Sequence, residues 1–127
     1  MSRVYLTVEQ VVEFHDATID RFGGTSGILD KHALESALGR FRSGYYSDLF
    51  EEAAALLEIL ATDHPFFDGN KRTAFFAADA FLRVNGYFID CDADEANRFI
   101  RKILEDRQNR FERVRNWLKA HVEPTPS

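Results

Sequence analysis

The chain has 127 residues, 45% of them hydrophobic and 13% aromatic, which is ample for one ordinary domain with a packed core and excludes the disordered class. Its formal net charge of −5 argues against nonspecific nucleic-acid binding, which feeds on a positive field, so no direct nucleic-acid partner is expected. One cysteine, Cys91, leaves no internal disulfide framework, and neither a signal-like leader nor a run of about 18 apolar residues is present, so the sequence predicts a cytoplasmic protein without a membrane segment.

Thr7 followed by Gln10 fits a capping box opening a helix with Val8, Val11, Val12 and Ile19 at helical spacing. The turn "FGGTSG" ends it, and Asp30 is placed to cap a second helix through Leu34, Ala37 and Leu38. Asp48 can cap a third, "LFEEAAALLEILATD", which should end near Asp63 because the residue before Pro65 avoids the α region. Asn70 is expected as the N-cap of a helix over about residues 71–84, apolar on nearly all sides and therefore central. Asp79 within it is read as a hydrogen-bonding residue joining a neighbouring helix, and Gly86 as the C′ residue.

"YFID" reads as a short strand or extended link. Cys91 beside it reads as an inert thiol, because neighbouring acids raise its pKa. Asp94 is the expected cap of "EANRFIRKILEDR", and "RFERVRNWLKAHV" forms a last helix with Phe111, Val114, Trp117 and Leu118 on one side. Residues 122–127 are expected to be a loose tail. Residues 98–119 carry eight Lys/Arg and three acids, a net of +5, so the rest of the chain carries −10. This basic segment is read first as a solvated face with internal pairs and second as a docking surface. The prediction is a single all-α domain over residues 1–127, about six helices around a central buried one.

The stretch "HPFFDGNKRT" concentrates the chemistry. Gly69 permits a sharp turn, and the backbone N–H groups from Asn70 to about Thr73 open the helix, an arrangement suited to phosphate. Lys71 and Arg72 add positive charge where it opposes the helix dipole, a cost relieved only by an anion. Asp68 stands on the rim as a candidate Mg²⁺ ligand, and His64 can accept a hydroxyl proton. Together these residues predict phosphoryl or nucleotidyl transfer. Phe66 is read as a core anchor of the loop. No P-loop, zinc helix or GxSxG elbow is present.

"HPFFDGNKR" resembles the signature of the Fic/Doc family, and specifically its Doc (death-on-curing) branch. Fic members carry His-Pro-Phe-x-(Asp/Glu)-Gly-Asn-Gly-Arg and a further Arg three residues on. Here Lys71 replaces the second glycine and Phe75 the second Arg, both departures being Doc-like. "FHDATIDRFGGTSGILD" and "AFLRVNGY" extend the similarity over most of residues 5–105. The resemblance implies an all-helical Fic/Doc fold and the toxin of a toxin–antitoxin pair, with a Phd-type antitoxin as partner. It further implies phosphorylation of elongation factor Tu with ATP and Mg²⁺. Carried over, His64 is the base, Asp68 the Mg²⁺ ligand, and Gly69, Asn70, Lys71, Arg72 and Thr73 hold nucleotide phosphates. Lys71 crowds the anion nest and so favours kinase activity over the AMP transfer of Fic relatives. The family's inhibitory motif is matched only partly, at Ser47 to Glu51, so inhibition is expected from a separate antitoxin. AMP transfer is the alternative activity, and a non-catalytic phosphate- or nucleotide-binding module the alternative class.

Overall fold

The computed structural model describes residues 3–126. The elements run α1 (Val8–Phe22), α2 (Lys31–Phe41), α3 (Leu49–Thr62), α4 (Asn70–Arg83), β1 (Tyr87–Ile89), α5 (Ala93–Glu105), α6 (Arg110–His121) and β2 (Val122–Pro124). Among the described residues the fold is therefore six helices with one small two-stranded sheet, as the all-α reading requires.

Local chemistry fixes most helix starts. Thr7 and Gln10 form the reciprocal capping box of α1, each side chain accepting the other's backbone N–H. Asp30 and Asp48 accept from Ala33 and Glu51 and start α2 and α3. The fifth helix departs from expectation, because its cap is Asp92, whose carboxylate accepts from the Glu95 N–H at 2.7 Å. Starting two residues earlier puts both Asp94 and Glu95 in the first turn, where negative charge complements the positive helix end.

Burial also differs from expectation. α3 is the most enclosed helix, with ten of its 14 residues buried, against seven of 14 for α4. α4 does pack on α1, α3, α5 and β1, but Phe75 and Phe76 are only half-buried and line an open cavity. The apolar run thus serves a core face and a cavity face at once. Inside the core, Glu52 is 4% exposed and is satisfied by Arg3 at 2.5 Å and by the Tyr5 hydroxyl.

The C-terminal segment is not loose: Val122–Pro124 pair antiparallel with β1, placing Val122 opposite Ile89 and Pro124 opposite Tyr87. The Thr125 N–H adds a bond to the Gly86 carbonyl at 3.0 Å. Gly86, with φ 97°, lies two residues beyond the C-cap Val84, one later than expected. Asp79 is a structural residue, but it ties α4 to β1 rather than to a helix. It accepts from the Ile89 N–H at 2.9 Å and pairs with Arg83 at 2.7 Å. Burial pushes the Cys91 thiol up to about 11, with Glu95, Asp92, Asp79 and Asp90 adding to the effect. Part of the basic segment is paired within the fold, Arg115 with Glu51 at 3.5 Å and Lys119 with Asp48 at 3.9 Å.

Candidate functional site

The loop between α3 and α4 is held from three sides. Its own Asn70 closes it, the side-chain amide accepting from the Phe66 N–H and donating to the Phe66 carbonyl, both at 3.0 Å. Asn70 is thus the first residue of α4 and a clip, not the N-cap; Gly69 takes the cap position, with φ 76° and ψ 14°. The left-handed turn that Gly69 supplies is what lets Asn70 reach back.

From α1, the buried His15 ring stacks on Phe66 with centroids 3.9 Å apart, and its Nε2 lies 2.8 Å from the Asp68 carbonyl oxygen. Phe66 is itself 1% exposed, the anchor expected of it. From the glycine-rich turn before α2, the Leu29 and Asp30 N–H groups donate to the Pro65 carbonyl at 2.8 and 3.0 Å. The Phe67 N–H donates to Gly27, and the Thr25 N–H donates to Asp68 Oδ2 at 2.7 Å. His64, at the start of this braced loop, is exposed and has φ 49°, an uncommon backbone state for a side-chain-bearing residue.

The first bond of the α4 ladder runs from the Thr73 N–H to the Gly69 carbonyl at 2.9 Å. The amides of Asn70, Lys71 and Arg72 precede that ladder and open at the mouth of the helix. Thr73, expected among the phosphate-holding residues, is buried and does not line the cleft. Its amide is in the ladder, and its side chain is 0% exposed, so three amides, not four, are left open at the helix mouth. The remaining sequence-derived residues do converge: His64, Asp68, Gly69, Asn70, Lys71 and Arg72 line one cleft of about 380 Å³.

α5 supplies a second wall with Asn97 and Arg101, which the sequence motif did not include. Lys71, Arg72 and Asn97 also border an adjoining slot of about 140 Å³, walled by Phe22, Phe75, Phe76 and Ile100. There the Arg72 guanidinium lies 4.3 Å from the centroid of the Phe22 ring. Charge in the main cleft is lopsided, with Lys71, Arg72 and Arg101 against Asp68 alone. His15 had a faint signal in the sequence, since 11, 15 and 18 form a helical stripe that proves buried. Asn97 had no signal beyond its i,i+4 spacing to Arg101, and Arg101 had only its place in the basic segment 98–119.

Together these features define a mainly helical fold carrying a cationic cleft at the junction of a braced loop and a helix start. The family model described as Fic/DOC family matches residues 5–82. The chain is 42% identical over 86 residues to "Protein kinase doc" of Escherichia phage P1, covering 65% of this chain and 68% of that protein. It is 38% identical over 89 residues to "Toxin Doc" of Mycolicibacterium smegmatis (strain ATCC 700084 / mc(2)155), again over 65% of this chain and 68% of the relative. The chain belongs to the Fic/Doc family.

Proposed function

We propose that the chain is a Doc-type toxin that transfers the γ-phosphoryl group of ATP to a hydroxyl of elongation factor Tu, arrests translation, and is neutralised by a Phd-type antitoxin. The observation that carries this reading is the convergence of His64, Asp68, three helix-opening amides and unneutralised cations on one cleft. Phosphoryl transfer asks a protein for little more than positioning, charge neutralisation and a base, and this cleft offers all three.

In this reading the substrate hydroxyl oxygen bonds to the γ-phosphorus as the bond to the β–γ bridging oxygen breaks. ADP leaves, and the hydroxyl proton passes to His64. The amides of Asn70, Lys71 and Arg72, with the Lys71 and Arg72 side chains, hold the phosphates. Mg²⁺ would sit on Asp68, whose Oδ2 accepts from Thr25 while Oδ1 forms no hydrogen bond among the described residues. Among the described residues no cluster of three or more His, Cys, Asp or Glu forms a cage. That donor set suits Mg²⁺, which binds one or two carboxylates and completes its shell with water and phosphate oxygens. When bound, the ion would neutralise phosphate charge.

Lys71 is the basis for preferring kinase activity to AMP transfer, since its side chain borders both the cleft and the adjoining slot. A macromolecular acceptor fits the rim, where Phe67 is 52% and Leu29 55% exposed on loops joined through Pro65 and Gly27.

The test is incubation of the protein with a bacterial lysate and Mg²⁺, in parallel with γ-labelled and α-labelled ATP. A γ-labelled band at the size of elongation factor Tu is expected, reduced by about 10²–10⁴-fold in His64→Ala. His64 is exposed, so the variant should melt with the wild type. An α-labelled band would make the chain an AMP transferase, and nucleotide binding without either band would make it a binding module.

A further inference from the structure

Arg101 lies on α5, a helix outside the signature, and lines the cleft that holds the loop residues and the start of α4. Its neighbour one turn back, Asn97, lines the same cleft. Arg101 is exposed, and among the described residues it forms no ion pair, although Glu105 stands one turn on at the spacing where helical pairs form. Lys71 is likewise without an ion pair among the described residues. A chain of net charge −5 thus keeps three cations without an ion pair among the described residues, Lys71, Arg72 and Arg101, on two elements bordering one cleft of about 380 Å³. That volume lies in the range of small-molecule sites, whereas one phosphate seated on the α4 amides would occupy only part of it.

We propose that Arg101 is a second phosphate-holding residue, so that the cleft grips two phosphoryl groups of one nucleotide and selects nucleoside di- and triphosphates over monophosphates. The inference rests on the reading of the cleft as a nucleotide site. The α4 amides with Lys71 take one group, and the Arg101 fork, supported by the Asn97 amide, takes another from the facing helix. Arginine suits that task because its planar fork meets two phosphate oxygens at once, and its charge survives at any physiological pH.

The measurement is titration calorimetry of the full chain with ATP, ADP and AMP, each with Mg²⁺, for wild type, Arg101→Gln and Arg101→Lys. Wild type should bind ATP and ADP at least tenfold more tightly than AMP. Arg101→Gln should lose about tenfold or more for ATP and ADP while AMP changes by less than about twofold. Arg101→Lys should recover part of the loss, as a point charge without the fork. Thermal midpoints should agree, because the side chain is exposed. Equal losses for all three nucleotides, or no loss for any, would overturn the inference while leaving the nucleotide site intact. Absence of nucleotide binding by the wild type would instead overturn the parent reading and this one with it.

Discussion

Gly69 carries more of the site than any charged residue, because it sets the direction of three amides and of Asn70. A side chain there meets two obstacles, a φ of 76° and the Ile19 Cδ1 atom 3.3 Å from where Cβ would lie. The left-handed state alone costs a side-chain-bearing residue about 1–2 kcal/mol. Gly69→Ala should lower the urea midpoint by a corresponding amount, and it should reduce phosphoryl transfer further than the stability loss accounts for. A variant with unchanged stability and unchanged transfer would mean that the loop has another way to turn. His64 shows the complementary case, since it holds a left-handed backbone with a side chain in place, braced by Pro65 and the bonds to Leu29 and Asp30.

At the scale of elements, the C-terminal strand and the cleft sit at opposite ends of α4. The cleft surrounds Asn70, and β1 follows Arg83, so the 14-residue helix separates them by about 20 Å. Deleting residues 122–127 should leave β1 unpaired and cost about 1–3 kcal/mol, a fall in Tm on the order of 5 °C, with ATP affinity unchanged. A large loss of ATP binding in the folded deletion variant would show that the strand pair shapes the cleft. This pairing was not legible in the sequence, because it joins residues 87–89 to 122–124 and neither segment carries a turn that announces the other. The caps Thr7, Asp30 and Asp48 were legible, since each acts within three residues of itself. The loop motif was legible for the same reason, being contiguous. His15 and Arg101 reach the site across the fold, 53 positions before Asp68 in one case and on a separate helix in the other. The greater enclosure of α3 was legible as well, because residues 53–61, "AAALLEILA", hold a single polar residue, whereas α4 carries Lys71, Arg72, Asp79 and Arg83.

For the whole molecule, one carboxyl raised by burial lies away from the cleft. Glu58 lies with Arg40, Asp63 and Arg110 around a surface hollow, and burial raises its carboxyl above the usual range. Arg110 and Arg40 oppose that rise, and Asp63 adds to it. A raised carboxyl binds its proton more tightly in the folded state than in the unfolded one. Its contribution is therefore fully present below the ordinary Glu value of about 4.3 and is lost as pH rises through the folded value. Glu58→Gln should raise the thermal midpoint at pH 7, with the difference closing near pH 4. A variant less stable than wild type at pH 7 would show that the two arginines outweigh burial.

The bonds that brace the loop have a further consequence. Pro65 and Phe67 are tied to Gly27, Leu29 and Asp30 through main-chain groups on both sides. Such a bond is indifferent to the side chain it passes. Ile28 and Leu29, both exposed, are therefore open to replacement without displacing His64. If that rim meets the acceptor as proposed, descendants of this chain can change what it recognises and inherit the chemistry unaltered, so recognition and reaction are separately heritable in one loop.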